Sequence, residues 1–178
     1  QDRTPKPIRP NPSGWQIHAN GVGDLSPEKD ITESALKIEG KSRAAFFDDG
    51  FAEAKEEELM HGGFVDQEGF RIMRFPKLDL RATVTQKNRI FALYPGESLR
   101  TAEGTGVGST LRELEAAHGK VSMTIYPEPY ECGISVSKYP NVTFLFRTCD
   151  SACGSYGASK VYVGGYNGDE SELPWGSN

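Results

Sequence analysis

The chain has 178 residues, 37% of them hydrophobic, 10% aromatic and 25% charged, with a net charge of -5. Such a length and composition build one globular domain, or two small units that share a core. The acidic balance, with Lys and Arg scattered along the chain, argues against nucleic acid or an anionic membrane surface as the partner, and no apolar run approaches the roughly 20 residues of a transmembrane helix.

Residues 1–14, QDRTPKPIRPNPSG, hold four prolines and no apolar period, which predicts an extended arm able to tether a folded domain. The chain begins at Gln1 without a methionine. We therefore expect a segment to have been removed ahead of it, either a signal peptide or a trimmed stretch. In DITESALKIEG, Asp30 stands as an N-cap with Glu33 three residues on, and Ile31, Ala35, Leu36 and Ile38 share a face. With Gly40 closing the pattern, a short amphipathic helix is predicted. RAAFFDD then reads as a strand and AEAKEEELMHGG as a solvated excursion between strands. GFRIMRF, LDLRATVT and NRIFALY read as three strands, broken at Pro76 and around residues 86–88.

EGTGVGSTLRELEAAHG, residues 103–119, has the glycines of a phosphate-binding loop but not its chemistry. Glu103 stands where the first glycine of G-x-x-x-x-G-K-[ST] belongs, and Ser109 takes the place of the lysine that neutralises phosphate. The dinucleotide pattern fails as well, its third glycine falling on Ser109 or Leu111. A second capped helix explains more: Thr110 caps it, Glu113 completes a capping box, Leu111, Leu114 and Ala117 point inward, and Gly119 ends it. VSMTI, YECGISVS, VTFLFRT and KVYVGGY follow as strands, the middle two joined as a hairpin through KYPN.

The stretches at 21–40 and 106–119 share a Gly-Val-Gly turn, a capped helix and a terminal glycine, each followed by about four strand candidates. The expected fold is therefore α+β: an antiparallel sheet with two short helices, arranged as a tandem helix-plus-four-strand repeat. Residues 15–100 form the first unit and 101–178 the second, within a single compact domain.

NGVGDLSPEKDITESAL, GTGVGSTLRELEAAHGK and YECGISVSKYPNVTFLF together resemble the successive landmarks of the sigma-E-regulated bacterial envelope lipoproteins. The second is also similar to the helix-opening motif of small outer-membrane assembly lipoproteins and of β-lactamase-inhibitor-like folds, with Gly108, Thr110 and Gly119 at the matching positions. The resemblance implies an envelope location and a non-enzymatic α+β module, and it carries over no catalytic residue. A mature lipoprotein would begin with a lipid-modified cysteine, where this chain has Gln1.

Little else in the chain carries chemistry. Cys132, Cys149 and Cys153 do not supply the four ligands of a structural zinc site, and the three histidines lie far apart. A disulfide involving Cys132 is the expectation for an exported protein. If Ile134 and Val136 share a face with Phe144 and Phe146, the hairpin sets Thr148 opposite Cys132, and Cys153 folds back to reach it. A bulge would favour Cys149 instead. The acidic pairs at 48–49 and 169–170 read as solvated turns. Tyrosines crowd the second half, and Tyr126 and Tyr130 are candidates for a sheet surface that binds another protein. The chain is thus expected to be a periplasmic or secreted binding protein, without enzymatic activity, cofactor or metal. In a second reading it is an inhibitor or immunity protein, inserting residues 104–110 (Gly104, Gly106, Ser109 and Thr110 among them) into a secreted enzyme.

Overall fold

The computed structural model describes residues 8–48, 70–85, 87–127 and 130–164. At its start a tight antiparallel pair, β1 (Ile17–His18) and β2 (Gly21–Val22), sets Ile17 opposite Val22. Both side chains are buried, and the Ile17 N–H donates to the carbonyl of Arg100, which ties this ribbon to the far end of the same half. Helix α1 (Glu33–Glu39) follows. Its cap is Thr32, not Asp30: the Ala35 N–H donates to Thr32 Oγ1, and the predicted terminator Gly40 takes φ 70°. Asp30 instead bonds the neighbouring Ile31 N–H at 2.7 Å. Ala35 and Leu36 face the core as the spacing predicts. Glu39 is buried beside them, and its carboxylate accepts the N–H groups of Lys77 (3.1 Å) and Leu78 (2.9 Å). That clamps α1 to a distant hairpin turn.

RAAFFDD is helical over residues 43–48 (α2), which corrects the predicted strand. Ser42 opens this helix by accepting the Ala45 N–H, and the Phe46 ring stacks at 4.7 Å on that of Phe75. Consecutive alanines and phenylalanines carry no period of two; the Ser42 cap opens the helix and the Phe46–Phe75 contact selects it over a strand. The AEAKEEELMHGG reading lies outside the described residues.

The sheet has seven strands in the order β3 (Phe70–Phe75), β4 (Leu80–Thr85), β5 (Ile90–Pro95), β9 (Lys160–Gly164), β8 (Tyr139–Phe146), β7 (Tyr130–Val136) and β6 (Val121–Pro127), with every neighbouring pair antiparallel. Helix α3 (Leu111–His118) opens on the predicted Thr110–Glu113 capping box, and α4 (Cys149–Cys153) on a second such box from Thr148 and Ser151. The fold is α+β, as expected, with four short helical segments among the described residues instead of two. Three strands follow α2 in the described first half, and α4 interrupts the second half before β9.

Alternation along the strands gives the sheet two different faces. Met73, Ala82, Leu93, Val163, Phe144 and Ile134 join Leu36, Phe46, Leu114 and Ala152 of the helices in one core cluster. The opposite face carries Arg74, Arg81, Tyr94, Tyr162, Thr143 and Gly133. No helix of the described residues is long and apolar enough to cross a membrane.

Candidate functional site

Strands β5 and β9 join the two halves of the sheet, and they do so briefly. Their register has two pairs, Ala92 with Gly164 and Leu93 with Val163. Beyond Leu93, β5 stays with β4 as far as Pro95, whereas β9 stays with β8 down to Lys160. The strands therefore fork, and a cleft of about 340 Å³ opens there, lined by Arg74, Arg81, Tyr94, Val107, Ser159 and Lys160 among others. This volume falls at the small end of ligand sites.

A row of tyrosines runs across the same face into the fork. The Tyr126 and Tyr162 hydroxyls are 3.4 Å apart, and the Tyr162 and Tyr94 ring centroids 6.1 Å. Gly133 makes the row geometrically feasible. A Cβ there would stand 2.7 Å from the Tyr126 ring, so only a glycine lets that ring lie across β7. Burial pushes the Tyr94 phenol above its ordinary range even with Arg81 beside it. Tyr162 is raised too, by burial and by its bond to Tyr126. Both hydroxyls thus stay protonated and able to donate. The sequence singled out Tyr126 and Tyr130 but missed Tyr162, Tyr94, Arg81, Arg74 and Lys160. Their signal was the alternate positions of GFRIMRF, LDLRATVT, NRIFALY and KVYVGGY, whose polar members share the face away from the core. The side chain of Tyr130 lies outside the described residues.

Residues 104–110, expected to project toward a partner, are largely built into the molecule. Ser109 is 3% exposed, and its Oγ accepts the Gly106 N–H at 2.9 Å. The Gly108 N–H donates to the Ala158 carbonyl and the Ala158 N–H to that of Ser109, both at 2.9 Å. The backbones approach so closely that a Cβ on Gly157 would lie 1.9 Å from the Gly108 oxygen. Gly106 and Ser109 therefore hold the turn from inside, while Gly104 is exposed, Thr110 is half-exposed and Val107 lines the fork.

A second polar cluster sits at the other end of this loop. Tyr139 donates to Glu103 Oε2 at 2.6 Å, and Lys138 pairs with Oε1 of the same carboxylate. Those two bonds hold the Glu103 carboxyl down to about 2. His118 Nε2 lies 2.7 Å from Thr105 Oγ1, which bonds Thr101 in turn, and the His118 ring stands edge-on to Tyr139 at 5.5 Å. Burial lowers the affinity of His118 for a proton. A hydroxyl beside an imidazole resembles an activated nucleophile. Thr105, however, is buried and already shared between two partners, so the cluster reads as a strut that fixes the loop to the β7–β8 hairpin.

All three cysteines are free thiols in this structure. Cys132 pairs with Phe146, not with Thr148, in the register that sets Ile134 opposite Phe144; a shift between Ile134 and Val136 separates it from the Val136–Tyr139 pair. The chain then turns back through α4, which rests on β7 and β8 and brings Cys149 beside Cys132. Burial and that neighbour push the Cys132 thiol up to about 12. Cys153, at the far end of α4, is exposed. Among the described residues no three His, Cys, Asp or Glu side chains gather as metal ligands would. Comparison of the chain with family models, with curated proteins and with solved structures returns no match.

Proposed function

We propose that the chain is a non-enzymatic binding protein of the bacterial envelope or of the secreted proteins, and that it engages a protein partner through the Tyr126–Tyr162–Tyr94 row. The observation that carries this reading is the row itself: three rings side by side on the sheet face away from the core, running into the fork. Tyrosine offers a partner a large rigid ring and a hydroxyl at little entropic cost. The resemblance to envelope lipoproteins supports the location. The adjacency of Cys132 and Cys149 supports a disulfide between them in an oxidising compartment.

A second reading, inhibition of a secreted enzyme by residues 104–110, is favoured by one observation. The bonds through Thr101, Ser109 and Ala158 make that loop rigid before any encounter, which lowers the entropy lost on binding.

The test is capture of a partner from envelope and secreted fractions of the source by the immobilised full chain, repeated with Tyr162→Ala, Tyr126→Ala and Tyr156→Ala. Tyr156 is 64% exposed and outside the row, so it serves as the control. The reading expects a stoichiometric partner that survives the control and is lost with either row variant. A partner retained by both row variants sinks it. If substitution at Gly104 or Thr110 releases that partner, the inhibitor reading takes its place.

A further inference from the structure

We infer that β6 is a dimerisation edge, to which a second copy of this chain adds its own β6 antiparallel, with Thr124 of each copy on the two-fold axis. The inference goes beyond the reading above and does not depend on it, since it uses the open edge of β6 and not the tyrosine row.

The first observation is topological. β6 ends the strand order, so among the described residues no strand covers its outer side. Alternate residues of Val121–Pro127 therefore turn their N–H and C=O groups outward. Native edges are usually guarded by charge. The edge at the other end, β3, carries Arg71 and Arg74, whereas β6 carries no charged residue and its one proline stands at the last position.

The second observation is an apolar strip that runs out past its cover. Met123 pairs with Ile134 and Ile125 with Cys132, so both lie on the core side of the sheet. Ile134 and Cys132 are fully buried, yet Met123 is 44% exposed and Ile125 56%. An edge and a strip that are open together suit one occupant, which bonds the backbone and covers the side chains at once.

A second copy meets both demands through its own sequence. Antiparallel pairing about Thr124 sets Met123 of each copy opposite Ile125 of the other, Val121 opposite Pro127 and Ser122 opposite Tyr126. Apolar side chains then meet on the core side and hydroxyl-bearing ones on the other. A slip of one residue would turn the strip of one copy to the polar face of its partner, so the register is specified. Charge agrees with this pairing. Lys120, exposed at the entrance to β6, is carried toward the end of the sheet where the other copy holds Glu131, an attraction between chains that each bear -5. A pairing built on one strand falls at the small end of specific interfaces, below about 1,200 Å², so the dimer forms at micromolar concentration or above.

The experiment is sedimentation velocity on the full-length chain from micromolar to millimolar concentration. The expected mass rises from 19.5 kDa toward twice that value. Met123→Lys and Ile125→Lys should each weaken association by about tenfold or more, because a charge would be buried against an apolar partner. Both positions are exposed in the monomer, so these substitutions leave the fold intact. Tyr156→Lys, at an exposed position outside β6, should associate as wild type does. Register has its own test: Met123→Lys combined with Ile125→Glu in one chain should regain the dimer, since each new cation then faces a new anion. In the wild type, amides within residues 121–127 should exchange more slowly at high concentration than at low. A chain that stays monomeric throughout overturns the inference and leaves the edge to a strand of a different protein. A dimer that neither single lysine variant weakens belongs to another surface and overturns it as well. A double variant no stronger than the single ones overturns the pairing about Thr124.

Discussion

Glu103 shows how one side chain sets a response to acid. Its ordinary value is 4.5, and the bonds from Lys138 and Tyr139 lower it to about 2 in the folded chain. A depressed carboxyl contributes stability that is fully present above its unfolded value and is lost as pH falls through the folded one. The window is therefore roughly pH 4.5 down to 2. His118 acts in the same direction at higher pH. Its folded value lies below the ordinary 6.5, so the unfolded chain takes up the proton first and stability starts to erode as pH drops under that value. Thermal unfolding followed across acid pH should show both losses, with Glu103→Gln flattening the lower window and, since the Glu103 charge favours the His118 imidazolium, deepening the upper. An unchanged profile in that variant would mean the strut does not hold in solution. Gly157 makes a cruder test of the same loop. Alanine there would force its Cβ into the Gly108 carbonyl, and displaced backbone of this kind costs about 1–3 kcal/mol, readable by chemical denaturation.

Capped helices illustrate what can be read locally and what cannot. Replacing Thr110 by alanine removes the acceptor for the Glu113 N–H at 3.1 Å, and should lower stability by about 1 kcal/mol without altering the urea m-value. The Thr110–Glu113 box and the αL glycine at Gly40 were legible because both partners lie within one helical turn. So were the strands at 80–85 and 90–95 and the alternating stretch 142–146 of β8, although residues 139–141, expected in the hairpin connection, belong to that strand. The misreadings share the opposite property. Asp30 and Thr32 both fit a cap by residue type, and docking of Ile31 into the core selects the later one. RAAFFDD was decided by the Phe46–Phe75 contact across the fold, and the α4 box has Ser151 where a glutamate or glutamine is the usual partner. The β7–β8 register hinged on one irregularity between Ile134 and Val136, which no composition rule announces. For the site the limit was sharper still. Arg81 and Lys160 are 79 positions apart in the numbering, and only the forked joint sets both over one ring.

That joint also decides whether the chain behaves as two units or one. Two register pairs are a slight connection for a seven-stranded sheet, and taken alone they would let the halves open separately. The core cluster argues otherwise, because it runs without a break from Ile17 and Leu36 through Leu93 to Phe144 and Val163. The Asn141–Asn20 side-chain bond at 2.7 Å and the contact of β2 with β9 add links that bypass the joint. Leu93 sits at the crossing, fully buried and paired with both Ala82 and Val163. Truncating it to alanine should cost about 2–5 kcal/mol, the usual range for a buried leucine. If the shared core governs, that loss appears everywhere. Hydrogen exchange of the best-protected amides should accelerate by the same factor in residues 80–85 and in residues 142–146. Acceleration confined to one segment would show instead that each half opens by itself and that the fork is a hinge.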